Sequence, residues 1–384
     1  MQQRDLLLDV TRLVWRVWSG RLPTGIDRVC LAYLDHYAPR SLAVIQRKEL
    51  RLVLSVRHSD QLFALLRAGG PGFRRRLTAL LAAAALSRGP RGSTRGWTYL
   101  NIGHTGLDSP GLAGWLAEQH WKPVYLVHDL IPISHPEFCR PGEARRHRQR
   151  MRTVLDSAAG VIANSAQTRD ALAGFAMREH RPTPPFEVAW LASPDLVEPA
   201  NVPPPSRPTF VMIGTIEGRK NHLLLLHIWE KLARELGPAT PKLVLIGQRG
   251  WEADEVFALL DRSPRLKGYV RELGRCDDAT MLGWLDQARA LLMPSFIEGF
   301  GIPVIEALQR GVPVIASDLP VFREIAGEIP LYLDPLDGQG WEAAIRAYCG
   351  DAPDRERQLA AMPSFHAPSW DDHFAKVDGW LASL

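Results

Sequence analysis

The stretch Leu291-Leu292-Met293-Pro294-Ser295-Phe296-Ile297-Glu298-Gly299-Phe300-Gly301-Ile302-Pro303-Val304-Ile305-Glu306 decides how the chain is read. The apolar run from Ala288 to Met293 reads as the end of a buried strand, closed by Pro294 and Ser295. Glu298 and a Gly-Phe-Gly turn follow, then Pro303, Glu306 and a helix-like Ala307-Leu308-Gln309-Arg310 that stops at Gly311. Gly299 and Gly301 let backbone amides approach a ligand with no side chain between. Pro303 fits a first helical turn, where its missing N–H is not needed. A helix start offers free N–H groups and a partial positive charge, which suit a phosphate or a sugar oxygen. Two carboxylates beside such a turn make sense if the ligand also has hydroxyls, because ionised carboxylates are strong acceptors. The plain alternative is a strand-to-helix turn with two surface glutamates.

Upstream, Phe210 to Ile213 reads as a strand, followed by Gly214-Thr215-Ile216-Glu217-Gly218-Arg219-Lys220-Asn221 and a helix from His222 to Leu236. Glycines and an Arg-Lys pair at a helix start suit a pyrophosphate: Arg219 can grip it with two N–H groups and Lys220 as a point charge. The Gly-Lys-Ser/Thr of a nucleotidase-type phosphate loop is absent. Further strands are expected at Lys242–Gly247, Val270–Gly274, Val312–Ser317 and Gly327–Leu333, with a helix leading to Ala288. Strands alternating with helices make this a Rossmann-like unit. The proline-rich 182–208, with Pro203-Pro204-Pro205, reads as a linker before it.

The first half has the same rhythm. Leu6 to Val10 is a strand, Gly20 to Arg28 a loop, and Ile26, Val29, Cys30, Tyr33 and Leu34 mark one helical face up to Tyr37. Ser41–Ile45 and Leu50–Val56 read as strands, as does Trp97–Ile102 before Gly103-His104-Thr105-Gly106. Pro123 to His128 is a strong strand whose end, His128-Asp129, points into a ligand crevice if the sheet is parallel. Gly160–Asn164 is the next strand, and Asn164-Ser165 caps the helix after it. Pro141–Ala159 is a strongly basic helix. Between residues 61 and 87, Gly69-Gly70-Pro71-Gly72 splits two helices bearing Arg67, Arg74, Arg75 and Arg76, with Arg88 just beyond. A basic helix with an apolar side can lie on a membrane surface. It can equally pack on the core and solvate its charges.

A chain of 384 residues holds two ordinary domains, and 46% hydrophobic with 23% charged residues is a globular composition. No apolar run has the length of a membrane span, and the apolar run near the start is broken by Asp9, unlike a secretory signal. Cys30, Cys139, Cys276 and Cys349 have neither disulfide nor zinc spacing, so reduced thiols in the cytoplasm are expected. Net charge is +4, but residues 1–180 hold 26 Lys+Arg against 14 Asp+Glu and the rest 20 against 28. Such asymmetry points one half at an anionic partner. No nucleic-acid motif is present, which favours lipid head groups at a membrane or a phosphorylated acceptor over nucleic acid.

Glu298 and Glu306, seven residues apart inside Glu-Gly-Phe-Gly-Ile-Pro-Val-Ile-Glu-Ala, resemble the donor-site motif of retaining glycosyltransferases of the GT-B fold, family 4. The resemblance covers most of Pro123 to Leu333, the first strand and loop less well, and residues 40–120 only in pattern. It implies an α/β fold of two Rossmann-like domains facing across a cleft. Residues 1–200 would form an acceptor-side domain and 206–365 a nucleotide-sugar domain, with a final helix within 366–384 crossing back to the first. In the terms of the family, Arg219 and Lys220 hold the donor diphosphate, although Gly218 stands where a proline is usual. Glu306 holds the ribose, and Glu298 with the amides of Gly299 to Gly301 places the sugar. His128 contacts the donor sugar and Gly25 lies beside the phosphates and acceptor. Asp129, Gly214, Thr215, Arg275, Phe300 and Ile302 complete the expected binding set, Arg275 in the loop that lines the base.

The implied chemistry is glycosyl transfer with retention. The leaving phosphate deprotonates the acceptor hydroxyl, so no side chain is needed as general base; the sequence holds no metal-ligand cluster, so neither a metal nor a cofactor is expected. His-Asp-Leu-Ile-Pro at 128–132 is most similar to bacterial mannosyltransferases of surface-polysaccharide pathways, which makes GDP-mannose the first donor expected and a UDP-hexose the second. The implied acceptor is a lipid-diphosphate-linked oligosaccharide at the inner face of the cytoplasmic membrane. Paired carboxylates also occur in glycoside hydrolases, but a hydrolase has no use for the Arg-Lys pair. A sugar-nucleotide epimerase, and a nucleotide-sugar-binding protein without turnover, share the fold and stay open.

Overall fold

The apolar runs of the sequence become the centres of two parallel sheets, seen in a computed structural model that describes residues 4–20, 25–86, 92–193 and 197–384. The first sheet contains β1 (Leu6–Asp9), β2 (Ser41–Arg47), β3 (Leu50–Val53), β4 (Thr98–Asn101), β5 (Lys122–Val127), β6 (Gly160–Ala163) and β7 (Phe186–Val188), in the order β3-β2-β1-β4-β5-β6-β7. The second contains β8 (Thr209–Ile213), β9 (Lys242–Ile246), β10 (Val270–Gly274), β11 (Ala290–Met293), β12 (Val314–Ser317) and β13 (Leu331–Leu333), in the order β10-β9-β8-β11-β12-β13. Every pairing is parallel except the β2–β3 hairpin. Parallel sheets are covered on both faces, which is why their central strands read as unbroken apolar runs. Leu291, Leu292 and Met293 are fully buried, as are Val124 to Val127.

In each sheet the strand order reverses once, between β1 and β4 and between β8 and β11. At such a point the helices leaving neighbouring strands diverge to opposite faces and open a crevice at the carboxyl ends. The segments after β8 and β11 therefore flank one crevice, and they are the segments that bear Arg219-Lys220 and Glu298. The segments after β1 and β4, which include Arg12 and His104, flank the corresponding point of the first sheet.

The chain divides into two compact units, the first of residues 1–133, 144–191 and 370–384, the second of 134–143 and 192–369. The first core gathers Leu7, Tyr99, Tyr125, Met151 and Phe175. The second gathers Phe210, Trp229, Leu243, Trp341 and Tyr348. The terminal helix Trp370–Leu381 belongs to the first unit, where Phe374 and Val377 are buried and His373 bonds Tyr33 Oη at 2.8 Å.

Several expectations change. The proline-rich 182–208 is not all linker: β7 lies within it and pairs with β6, because Phe186-Glu187-Val188 completes the sheet edge. The division falls at 191/192, and residues 134–143 join the second unit although both flanks belong to the first. The expected loop over 20–28 ends early, since α2 (Gly25–Tyr37) begins at Gly25; residues 21–24, like Arg88, lie outside the described residues. A helix α1 (Thr11–Trp18) follows β1 directly, without an acidic first turn or a side-chain cap to announce it. The helix Asp254–Arg262 is likewise unanticipated. Ser165 alone caps the helix after β6, by accepting from the Thr168 amide at 3.0 Å, while Asn164 turns inward to donate to the His128 carbonyl at 2.9 Å. The break at 69–72 falls between α3 (Val56–Ala68) and α4 (Phe73–Leu86).

One close approach ties β8 to β9. A Cβ added at Gly247 would lie 1.9 Å from the Gly214 carbonyl oxygen, so that position admits only glycine. Gly247→Ala is expected to cost at least the ~1–3 kcal/mol of an overpacked core in urea unfolding. Gly114→Ala, whose Cβ meets nothing within 4 Å, serves as the control and is expected to be neutral or stabilising.

Candidate functional site

Three side chains of the second unit meet below the surface at its switch point. Glu298, after β11, is 7% exposed. Its carboxylate accepts from Arg219 Nη1 at 2.6 Å, from Lys220 Nζ at 2.5 Å and from Ser295 Oγ at 2.7 Å. A second buried carboxylate, Glu217, holds Arg219 Nη2 at 2.6 Å. Backbone contacts lock the two loops together: Phe296 donates its amide to the Arg219 carbonyl at 2.8 Å, and Arg219 Nη1 donates to the Ile297 carbonyl at 3.1 Å. The Arg-Lys pair lies in a short 3-10 turn, Gly218–Lys220, one residue before the helix His222–Leu236 rather than at its first turn. The chain turns between them at Asn221, whose left-handed backbone (φ 58°) is steadied by its side chain donating to the Pro335 carbonyl at 3.0 Å.

Electrostatics follow from burial against pairing. Burial pushes the Glu298 carboxyl up, but the Arg219 and Lys220 charges, with hydrogen bonds from Lys220 and Ser295, overcome this and hold it at about 2. Burial pulls the Lys220 ammonium down despite Glu298 beside it. Burial also raises Glu217, which has Arg219 as its chief partner. His222, directly after the turn, is held at about 3 by burial and then by the Lys220 charge.

The backbone around the cluster is built for close approach. Gly214 (φ +142°) lets the Lys220 stem lie on it, a Cβ there falling 3.3 Å from Lys220 Cε. Gly301 (φ +124°) opens the helix Ile302–Gln309, and a Cβ would come within 2.8 Å of Phe322. Gly218 has its own reason for departing from proline. Its N–H donates to the Trp251 carbonyl at 3.3 Å, and a Cβ would meet the Glu252 carbonyl at 2.6 Å. Trp251 in turn donates its indole N–H to the Phe138 carbonyl at 3.1 Å and lies under Arg140 at 4.7 Å. Phe138 stacks on Phe296, with centroids 5.4 Å apart and planes within 3°. Residues 134–143 thus brace the loop that presents Glu298.

The remaining expected residues of this unit are spread along the same strand ends. Thr215 and Gly299 are half-buried in the loops after β8 and β11. Phe300 is buried in the core, so it supports the turn from beneath. Ile302 starts the helix in which Glu306 sits, 6% exposed. Arg275 follows β10, two strands away from β8.

His128, Asp129 and Gly25 belong to the first unit. His128 Nε2 lies 2.8 Å from the Ile102 carbonyl, so the ring's N–H is spent there. Burial, helped by the Arg12 charge and opposed by that hydrogen bond, holds His128 at about 4 and therefore neutral at pH 7. Asp129 uses its carboxylate to cap the next turn, accepting from the Ile131 amide at 3.0 Å. Gly25 begins α2 with open space around it.

Sequence reading missed the neighbours of His128. His104 and His147 are buried, with His104 centred 5.2 Å from His128 and 5.8 Å from His147. Asp27, 1% exposed, pairs with Arg12 at 2.6 Å and Arg16 at 2.8 Å. Gly103-His104 at a strand end was the one available signal. Among the described residues, no group of three or more His, Cys, Asp or Glu is placed to hold a metal ion, and no helix is long and apolar enough to cross a membrane.

Two Rossmann-like units in one chain are what the GT-B class of fold contains, and solved structures of that class match it. Anabaena Alr3699/HepE in complex with UDP superposes over 100% of both chains with a TM-score of 0.66 at 16% identity. More specifically, residues 207–351 match the family model described as Glycosyl transferases group 1, so the second unit carries a glycosyl transferases group 1 domain. The serotype-specific mannosyltransferase WbdA of Escherichia coli is 31% identical over 244 residues, 59% of this chain and 29% of its own length. The O-antigen chain mannosyltransferase B of Escherichia coli is 38% identical over 164 residues, 42% of each chain. The matched region thus spans less than half the length of either relative.

Because Glu298 is held at about 2 against an ordinary value of 4.5, it stabilises the fold above about pH 4.5 and ceases to as pH falls towards 2. Glu298→Gln is expected to cost ~3–5 kcal/mol at pH 7, as does breaking other buried pairs. In denaturant titrations at stepped pH, the gap between wild type and variant should close progressively below pH 4.5.

Proposed function

We propose that the protein is a retaining glycosyltransferase that moves a hexose, mannose from GDP-mannose, onto a hydroxyl of a lipid-diphosphate-linked saccharide. The observation that carries this reading is the buried Arg219–Lys220–Glu298 cluster at the switch point of a group 1 glycosyltransferase domain. The likeness to the two Escherichia coli mannosyltransferases supports mannose as the sugar and a polysaccharide as the product.

In this mechanism Arg219 and Lys220 neutralise the departing diphosphate. Their carboxylate partners and the surrounding backbone fix them beforehand, so little reorganisation is needed as charge develops. Glu306 holds the ribose hydroxyls. Glu298 and the amides of Gly299 to Gly301 set the sugar, so orientation supplies part of the rate. His128, neutral and with its N–H already bonded to Ile102, offers Nδ1 as an acceptor to a sugar hydroxyl. The leaving phosphate takes the acceptor proton, and the reaction proceeds without a metal.

The test is a thermal-shift panel of UDP, GDP, ADP, dTDP and CMP, each with its common sugars, followed by transfer assays with and without EDTA. GDP and GDP-mannose are expected to raise the melting temperature increasingly with concentration. A UDP pair acting instead replaces the donor and keeps the reaction. Free sugar as the stoichiometric product identifies an epimerase or hydrolase. Arg219→Ala is expected to lower turnover ~10²–10³-fold, the usual loss for one preorganised donor. Unchanged turnover in that variant removes the diphosphate role.

A further inference from the structure

A run of aromatic and cationic side chains crosses the first unit on the carboxyl-end side of its sheet. The Arg47 guanidinium lies 5.1 Å from the Trp15 ring centre, Trp15 lies 6.4 Å from Trp18, and Arg74 lies 5.5 Å from Trp18. Arg74 also donates Nε to the Trp18 carbonyl at 2.7 Å. The elements involved are the end of β2, α1 and α4: Arg47 joins β2 to α1, Trp15 and Trp18 lie along α1, and Arg74 joins α4 to it. Trp15 is 36% exposed, and Leu50, at the base of the turn, is 58% exposed. Arg47, Lys48, Arg74, Arg75 and Arg76 are all exposed, against one carboxylate in the same segments, Glu49.

Arg76 holds the Gly69 carbonyl at 2.7 Å, but the position of the three arginines works against the helix that carries them. Arg74, Arg75 and Arg76 fill the first turn of α4, where cations oppose the helix dipole and acidic residues are normally preferred. Among the described side chains of that helix, only Phe73 and Leu77 are buried. Ala79, Ala82, Ala83 and Ala85 continue from the arginines as an exposed apolar strip. Indole rings stacked with guanidinium groups, a protruding leucine and an apolar strip beside a cationic one match the layering of a bilayer surface. Tryptophan favours the head-group level, and arginine the lipid phosphates. The location fits as well. β1 ends directly into α1, and Arg47 ends β2, so the surface starts at the strand ends where a ligand of a parallel sheet is bound.

We propose that Trp15, Trp18, Leu50, Arg47, Arg74 and Arg75 form a docking surface for an anionic lipid bilayer, which brings the lipid-linked acceptor to the strand ends of the first unit. This rests on the lipid-linked acceptor proposed above for its purpose, but not for its chemistry. A second copy of the chain is the poorer occupant. A two-fold contact would set the same five cations against themselves.

The full chain is to be floated on vesicles of phosphatidylcholine, with and without phosphatidylglycerol, at low and physiological salt. Flotation is expected only with phosphatidylglycerol. Arg74→Glu/Arg75→Glu is expected to reduce the bound fraction at least tenfold while its circular dichroism stays that of a folded chain. Arg75→Glu alone, an exposed position, should give a smaller loss of the same kind and covers the case in which the double variant misfolds. Brominated phosphatidylglycerol should quench tryptophan emission in wild type and markedly less in Trp15→Phe/Trp18→Phe. No flotation, or flotation and quenching unchanged in these variants, overturns the proposal. So does concentration-dependent dimerisation abolished by Arg75→Glu, which would assign the surface to a second copy. GDP and UDP binding is measured on the same samples. Flotation without nucleotide binding refutes the donor reading and leaves the docking surface standing, and the reverse result refutes the surface alone.

Discussion

Glu298 lies between Arg219 and Lys220 below the surface of the second unit, and much of that unit's architecture serves to keep it there. Taking an ion out of water costs several kcal/mol, recovered only through short contacts with opposite charge and with hydrogen-bond donors. The unit supplies these from both sides of its switch point. Arg219 and Lys220 come from the segment after β8, and Glu298 and Ser295 from the segment after β11. The Phe296 amide and the Arg219 carbonyl join the two segments directly. Glycines at 214, 247 and 301 then act as clearances: one for the lysine stem, one for the crossing of two strand ends and one for the start of a helix against Phe322.

The first unit solves a similar problem with different chemistry. At its strand ends the charged trio is Arg12, Arg16 and Asp27, and beside it stand three buried imidazoles. Two of them, His104 and His128, are held below their ordinary range, first of all by burial. Their Nε2 atoms face backbone carbonyls, Leu126 for His104 and Ile102 for His128. These rings are thus neutral and oriented groups rather than charges.

What the sequence made legible was local. Parallel strands buried on both faces leave unbroken apolar runs, so β5, β8, β9 and β11 could be placed within a residue or two. Arg219 and Lys220 adjoin in sequence, and Glu298 and Glu306 share one short segment, so both motifs were visible without a fold. The long-range contacts were not. Nothing near Phe138 indicates that it will stack on Phe296, or that Trp251 will reach its carbonyl. Asp27 looked like one more polar residue on a helix, because only the fold brings Arg12 and Arg16 to it. Phe300, flanked by glycines, had no neighbour in sequence to show that it would turn into the core. The strand β7 was hidden by its surroundings, three residues among prolines that a linker would also contain.

The path of the chain has a consequence for how the molecule is made. The first unit is begun by β1 yet includes the helix Trp370–Leu381, which is synthesised only after all of the second unit. Until it arrives, Tyr33 and Tyr37 lack the partners that bury them, His373, Phe374 and Asp378. The second unit begins equally early, with residues 134–143, which must wait for Trp251 and Phe296. Neither unit can therefore close in the simple N-to-C order in which separate domains emerge from the ribosome. Each waits for residues made after part of the other: the second unit has all its residues first, and the first unit only when the helix Trp370–Leu381 is made.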